Sequence, residues 1–175
     1  TASGTSSILP TVRSRLFTLH LSGLGKNAYY QTLKKARPGA DDGLLVKMAA
    51  FAAKYEGTEL SEMDEKVYEK AFSLAAEYFS GNKSDVLLEF PRSKDSRKNM
   101  LIYLQVFYLA LGEIMYAKLY KIPDDAAFTE SELHDGIMKT SSKRASVILD
   151  GLEKAIIKIS SPINYSVNLI AAELG

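Results

Sequence analysis

Apolar residues recur at three- and four-residue intervals through most of the chain after residue 26. This spacing places side chains on one face of an α-helix. Three long stripes run through residues 44–55, 63–78 and 145–159, and shorter ones occupy 27–36 and 129–138. Only residues 16–21 alternate in the manner of a strand. The pattern therefore predicts an all-α fold.

Local signals set the expected ends of these helices. Ser61 is a candidate N-cap with acids in the first turn behind it, and Gly81 is expected to stop that helix. Thr129 and Glu132 have the spacing of a capping box. Pro162 should end the stripe of 145–159, and residues 164–174 could form a short last helix.

The longest apolar run, residues 100–122, is long enough to cross a bilayer. Gln105, Glu113 and Lys118 are spread around it, and charges deep in a membrane span are costly. We therefore expect a buried core helix at about 98–121 and no membrane span. Glu113 is the one acid whose position suggests a shifted pKa, with a tyrosine hydroxyl, a lysine or solvent as its expected neighbour.

Length and composition indicate one globular domain. The chain has 175 residues, of which 46% are apolar and 25% charged, and no internal repeat or low-complexity linker divides it. The fold prediction is a single-domain helical bundle of about six to seven helices around the central helix. An extended basic N-terminal arm, residues 1–25, is expected to precede the helical domain of residues 26–175.

Charge is distributed unevenly along the chain. Residues 1–40 hold six basic side chains and no acid, whereas residues 41–175 hold 16 basic and 21 acidic ones. The formal net charge of +1 therefore conceals a basic N-terminal part on a mildly acidic body. Clustered cations bind polyanions through counterion release, so this distribution favours a nucleic-acid-binding function.

Two more basic clusters precede the long helices. They lie in the segments PRSKDSRKN, residues 91–99, and KTSSKR, residues 139–144. Cations at a helix N-terminus oppose the helix dipole unless an anion joins them, and serine and threonine hydroxyls stand beside them. The alternative is that both segments are solvated loops whose charges serve solubility.

The segment KNAYYQTLKKAR, residues 26–37, interleaves tyrosine with basic residues, and single-stranded nucleic acid is commonly bound by stacking as well as charge. Helical spacing would place Tyr30, Lys34 and Arg37 on one face. The alternative is that Tyr29 and Leu33 dock this helix on the core while the lysines face water.

Enzyme motifs are weak. Glu130 and His134 have i,i+4 spacing, but a single histidine with exposed carboxylates does not make a metal site. The chain has no cysteine, which excludes disulfides, thiolate ligands and cysteine nucleophiles. The SGLGKN segment, residues 22–27, departs from the phosphate-loop pattern at Asn27. We expect no enzyme activity, no cofactor and no bound metal.

The leading hypothesis is a non-enzymatic structural protein that binds single-stranded nucleic acid, RNA rather than DNA, through its phosphate backbone and forms a homo-oligomer. By layout alone, a helical body with a basic arm is typical of nucleoprotein or capsid subunits. The predicted nucleic-acid-binding residues are Arg13, Arg15, Lys26, Tyr29, Tyr30, Lys34, Lys35, Arg37, Arg92, Lys94, Arg97, Lys98, Lys143 and Arg144.

Two other hypotheses remain open. The first is a helical protein-interaction module whose basic arm docks on an acidic partner or on a neighbouring subunit. The second is a small-molecule or lipid-binding bundle built around the tyrosine-rich central helix, which would require a cavity. The sequence does not fix the compartment, and an intracellular or virion-associated location is compatible with it.

Overall fold

Helices account for all the regular structure in the part of the chain that the computed structural model describes, residues 25–55, 59–83, 85–86 and 96–160. A 3-10 turn, Leu60–Glu62, precedes the third helix. The six α-helices are α1 (Lys26–Ala36), α2 (Asp42–Lys54), α3 (Glu65–Ser80), α4 (Arg97–Ala117), α5 (Glu130–Lys139) and α6 (Ser142–Ser160). This confirms the prediction of an all-α bundle. The arm before Gly25, the strand-like residues 16–21 and the predicted helix 164–174 lie outside the described residues.

The centre of the bundle is α4, as predicted. It packs against α3, α5 and α6, and its buried side chains come from all around the helix. Leu104, Phe107 and Ile114 are completely excluded from solvent. The helix ends at Ala117 rather than near 121, and beyond it the N–H of Leu119 donates to the Tyr116 carbonyl in the tighter i→i−3 pattern of a turn.

Length and composition alone would allow α4 to cross a membrane, since its mean hydropathy is 1.5 over an 18-residue window. Half of that window is buried inside the protein. A core helix passes the same test as a membrane span, and the contacts of α4 with three other helices are those of a core helix.

Four of the helices have a side-chain N-cap. Asp41, Asp64, Ser96 and Thr129 each accept a hydrogen bond from a backbone N–H in the first turn that follows. Thr129 and Glu132 form the predicted capping box. The prediction of Ser61 as N-cap is wrong, because Ser61 lies in the 3-10 turn and the Asp64 carboxylate accepts the N–H groups of the first turn instead.

Two glycines are required by the backbone or the packing. Gly81 ends α3 as predicted, with φ of +122°, a conformation that side chains rarely adopt. Gly136 of α5 lies where α5 crosses α3 and α4. A Cβ there would be 2.7 Å from Cδ1 of Ile114 and 3.1 Å from Cβ of Phe79. The absence of a side chain at Gly136 therefore allows the three helices to approach closely.

The first two helices form a hairpin, which polar contacts tie to the rest of the bundle. α1 packs on α2, and α2 in turn contacts α3. The Tyr55 hydroxyl donates to the Gln105 carbonyl on α4 at 2.8 Å. The Lys26 ammonium donates to the Ala126 carbonyl at 2.8 Å. These contacts place α1 and α2 beside residues 122–129, the loop between α4 and α5.

Candidate functional site

A wide groove of about 1270 Å³ lies on the surface of the described residues. Its walls come from the first half of α2, the exposed face of α3 and residues 122–129, with Lys26 and Glu132 at its ends. Seven carboxylates and three ammonium groups line it, a formal charge of −4. We call this surface the acidic groove. Its carboxylates are those of Asp41, Asp42, Glu65, Glu69, Glu77, Asp124 and Glu132.

The floor of the acidic groove is apolar. Phe72 and Phe128 form its deepest part, with their ring centroids 5.3 Å apart in an edge-to-face arrangement. The Lys47 ammonium lies 5.6 Å from the Phe72 centroid and 5.7 Å from that of Phe128, and it pairs with Glu132. The partly exposed apolar side chains around this centre are Leu44, Val46, Ala76, Ile122, Pro123 and Ala126.

Several carboxylates of the groove already stabilise the fold. Asp41 caps α2, Glu65 pairs with Arg37, and Glu132 completes the capping box of α5. Burial alone would raise the pKa of Glu132, but hydrogen bonds from Lys47 and Thr129 outweigh it and hold that pKa below its ordinary value. The charge of Glu132 is therefore kept at neutral pH.

Glu69 and Asp124 differ from these carboxylates. Neither forms a salt bridge with any residue that the structure describes, and both are exposed. The Glu77 carboxylate accepts a hydrogen bond from the Ser73 hydroxyl, at 3.0 Å. These three side chains can turn towards a bound cation without breaking an existing ion pair.

Glu113 lies behind the loop that forms one wall of the groove. Its carboxylate accepts the backbone N–H groups of Ala127 at 2.8 Å and Phe128 at 3.0 Å. Burial raises the pKa of Glu113, although these hydrogen bonds and the nearby Lys26 favour the charged form. The shifted pKa is as predicted. The expected lysine neighbour is present as Lys26, whereas the hydrogen-bond donors are backbone amides in the interior and not a tyrosine hydroxyl.

The predicted residues of α1 are divided between two environments. Leu33 is buried and Tyr29 packs against the core, in agreement with the docking alternative. Lys34 donates to the Tyr30 hydroxyl at 2.8 Å and to Asp42 at 2.9 Å, while Lys35 is exposed. The Tyr30 hydroxyl also donates to Asp42 at 2.6 Å, and its hydrogen bond, followed by that of Lys34, holds the Asp42 pKa below its ordinary value.

Arg37 does not share the face of Tyr30 and Lys34. The helix ends at Ala36, and the backbone of Arg37 is no longer helical, with φ −136° and ψ 68°. Its guanidinium donates to the carbonyls of Leu60 at 3.1 Å and Met63 at 2.5 Å. The prediction of one shared face is wrong for Arg37, which binds the chain around the 3-10 turn.

Arg97 and Lys98 begin α4 near the same 3-10 turn. Lys98 pairs with Glu62, and this partner lowers the pKa of that carboxyl. Arg97 donates from Nε to the carbonyl of Ile159 near the end of α6. The fold thus brings Arg37 and Lys98 to either side of residues 60–63. In both cases the cation is paired with an acid of the same chain.

Lys143 and Arg144 lie in a separate region, where α5 ends and α6 begins. Both are exposed. Arg144 is close enough to Lys83 and Tyr78 to influence the pKa of each. Arg97 contacts the opposite end of α6, and positions 143 and 159 are 16 residues apart, which corresponds to roughly 24 Å of helix. These described candidates therefore lie near opposite ends of α6.

The remaining predicted site residues are not in the described part of the chain. These are Arg13, Arg15, Arg92 and Lys94. Nucleic-acid binding through the full predicted set stays a prediction. Among the described residues, no group of three or more histidine, aspartate or glutamate side chains could hold a metal ion.

The acidic groove was not predicted from the sequence, although the sequence of one wall shows a regular pattern of polar residues. Glu65, Glu69, Ser73 and Glu77 recur every fourth residue on α3, which places them along one ridge of the helix. Nothing in the sequence placed residues 122–129 and the first half of α2 beside that ridge. Only the tertiary packing brings the three segments together.

A second pocket, of about 700 Å³, lies on the other side of residues 123–126. Tyr55, Tyr108 and Tyr116 line it together with Gly112 and Glu113. It provides a cavity next to the tyrosines of α4, so the small-molecule hypothesis also stays a prediction.

Comparison with protein-family models, with curated proteins and with solved structures finds no match.

Proposed function

We propose that this protein is a non-enzymatic structural protein that self-associates by docking the basic N-terminal segment of one copy, residues 1–24, into the acidic groove of a neighbouring copy. The single observation that carries the proposal is the acidic groove itself, a wide surface with an apolar floor and a carboxylate rim. Such a surface fits an extended segment that carries both positive charges and apolar side chains.

The charges of the two partners are complementary. The groove has a formal charge of −4. Residues 1–24 contain Arg13 and Arg15 and no acid. Every copy therefore carries one basic segment and one acidic groove, and a pair of copies can satisfy both. The exposed carboxylates of Glu69, Glu77 and Asp124 would accept the two guanidinium groups.

The apolar surfaces are complementary as well. On either side of its two arginines, the segment carries apolar side chains at Ile8, Leu9, Val12, Leu16 and Phe17. The groove offers the partly exposed apolar floor around Phe72 and Phe128. Burial of this surface would supply most of the favourable free energy, while the charges would set the orientation of the segment.

The position of Lys26 places the start of the described chain beside the groove. Its ammonium donates to the Ala126 carbonyl in the groove wall. An extended segment of 24 residues spans at most roughly 80 Å, which is enough to reach a second subunit. Reciprocal exchange of two such segments would close a symmetric dimer.

A charge-swap experiment tests this proposal on the full-length chain. The variant Arg13→Glu/Arg15→Glu puts an acidic segment against an acidic groove, and Glu69→Lys/Glu77→Lys puts two lysines opposite the arginines of the segment and brings the formal charge of the groove from −4 to zero. We expect light scattering to show that self-association of each variant alone is about 10- to 100-fold weaker than that of the wild type, because like charges face each other.

An equal mixture of the two variants should restore association, since each acidic segment then meets the two introduced lysines and each basic segment meets an acidic groove. Matched controls are Lys143→Glu/Arg144→Glu and Asp85→Lys/Glu153→Lys, which change the net charge equally outside the groove. These controls should associate like the wild type. A monomeric wild type, or a mixture that remains dissociated, would overturn the proposal.

A further inference from the structure

We infer that a second, independent site binds the phosphate backbone of single-stranded RNA at the corner where α3 ends and α6 begins. Lys83, Lys139 and Arg144 come together at this place, and the exposed Lys143 precedes Arg144 in the first turn of α6. We call it the basic corner. It lies apart from the acidic groove, and none of its four cations lines the groove.

Three contacts define the geometry of the basic corner. The Lys139 ammonium lies 3.4 Å from the carbonyl of Ser80, the last residue of α3. The Lys83 ammonium lies 5.8 Å from the ring centroid of Tyr78, which is in the last turn of α3. Arg144, in the first turn of α6, is close to both Tyr78 and Lys83. The end of α3 and the junction between α5 and α6, which are distant in sequence, thus present cations to one surface.

Among the residues that the structure describes, few carboxylates lie near Lys143 and Arg144. Residues 139–149 contain three basic side chains and no acid. Asp135 pairs with Lys139 at 2.8 Å, and Asp85 is exposed next to the corner. Within the described residues, neither Lys143 nor Arg144 forms a salt bridge. In contrast, Lys34, Arg37 and Lys98 are each paired with an acid of the same chain.

Mutual repulsion within the corner supports an anionic ligand. Burial and, after it, the positive charge of Arg144 lower the pKa of Lys83. A phosphate placed between the two side chains would relieve this repulsion. The backbone of a nucleic acid supplies phosphates at regular intervals, and the exposed hydroxyls of Ser141 and Ser142 could bind its oxygens as well. Tyr78 is buried, so stacking is not expected to contribute at this site.

The test is a fluorescence-anisotropy titration of a labelled 20-nucleotide oligouridylate with the full-length chain at 50 and 200 mM salt. For four phosphate contacts on a single strand, log K should fall with log salt at a slope of about −2.8. The fourfold salt increase would then weaken binding by about 50-fold. The variant Lys143→Ala/Arg144→Ala keeps two of the four phosphate contacts, so its slope should be about half as steep. The same salt increase should then weaken its binding by only about sevenfold.

Lys118→Ala/Lys121→Ala is the matched control, because it also removes two exposed positive charges, at the end of α4. For this control, log K should fall with log salt at the wild-type slope. Thermal unfolding followed by circular dichroism shows whether both variants are folded. The site is overturned if oligouridylate does not bind at 50 mM salt, if the corner variant keeps the wild-type slope, or if the control loses as much slope as the corner variant.

Discussion

At the scale of single residues, the interior carboxylate of Glu113 is the most consequential side chain. It holds the N–H groups of Ala127 and Phe128, and Phe128 is part of the groove floor. One acid in the core helix therefore fixes the loop that forms a wall of the acidic groove. Its raised pKa means that ionisation of this carboxyl opposes folding.

Glu113→Gln should change the pH dependence of stability. A carboxyl whose pKa is raised on folding contributes stability below its ordinary value of 4.5, and this contribution is lost as pH rises through the folded pKa. Glutamine does not titrate. The unfolding free energy of the wild type minus that of the variant should therefore fall as pH rises above 4.5. Urea unfolding at several pH values between 4.5 and 8 measures this difference.

Glu132→Gln is the control for that measurement. The pKa of Glu132 is lowered in the folded protein, so its contribution is present above the ordinary value and is lost only in acid. The unfolding free energy of the wild type minus that of Glu132→Gln should be nearly constant between pH 5 and 8. A flat curve for Glu113→Gln as well would contradict the role of its burial.

At the scale of secondary-structure elements, the close crossing of α5 over α3 and α4 depends on Gly136. Glycine is unfavourable inside a helix by roughly 1 kcal/mol relative to alanine, so its presence in α5 needs a packing reason. The space that its missing Cβ leaves is filled by Ile114 and Phe79. Packing at the crossing therefore outweighs helix propensity.

Gly136→Ala should destabilise the protein by about 1 kcal/mol, since overpacking of about 1–3 kcal/mol exceeds the gain in helix propensity. Gly112→Ala in α4 is the matched control, because a Cβ at that position meets nothing within 4 Å. The control should be stabilised by about 0.5–1 kcal/mol. Thermal unfolding compares the two, and equal shifts in Tm would show that the crossing does not restrict position 136.

At the scale of the whole molecule, the helical hairpin of α1 and α2 is joined to the bundle by a few specific contacts. Arg37 is the most connected of them, with two carbonyls and Glu65 as its partners. Its guanidinium side chain is only 17% exposed. One residue that the sequence predicts as a nucleic-acid contact thus holds two parts of the fold together.

Arg37→Ala should lower the unfolding free energy by about 2–4 kcal/mol, because it removes charge-assisted hydrogen bonds to the carbonyls of Leu60 and Met63. Hydrogen exchange should become faster in α1 and α2 than in α4. Lys35→Ala, on the same helix but exposed, should change stability by less than about 0.5 kcal/mol. Unchanged exchange protection of α1 in the Arg37 variant would refute this role.

The helical fold could be predicted from local pattern because helical hydrogen bonds and amphipathic spacing involve neighbours in sequence. The stripes, the capping box at Thr129 and the stop at Gly81 are all of this kind. The end of α4 and the N-cap of α3 were missed, since each depends on which of several nearby groups satisfies the terminal backbone atoms.

The sequence by itself determined that the chain is helical, that α4 is its centre and that its positive charges concentrate towards the N-terminus. Tertiary structure alone decided which charges are partnered and which surfaces they form. Residues distant in sequence build both the acidic groove and the basic corner, and pairing within the chain engages Lys34, Arg37 and Lys98. Local spacing carries no information on such long-range contacts, because they depend on how whole helices pack.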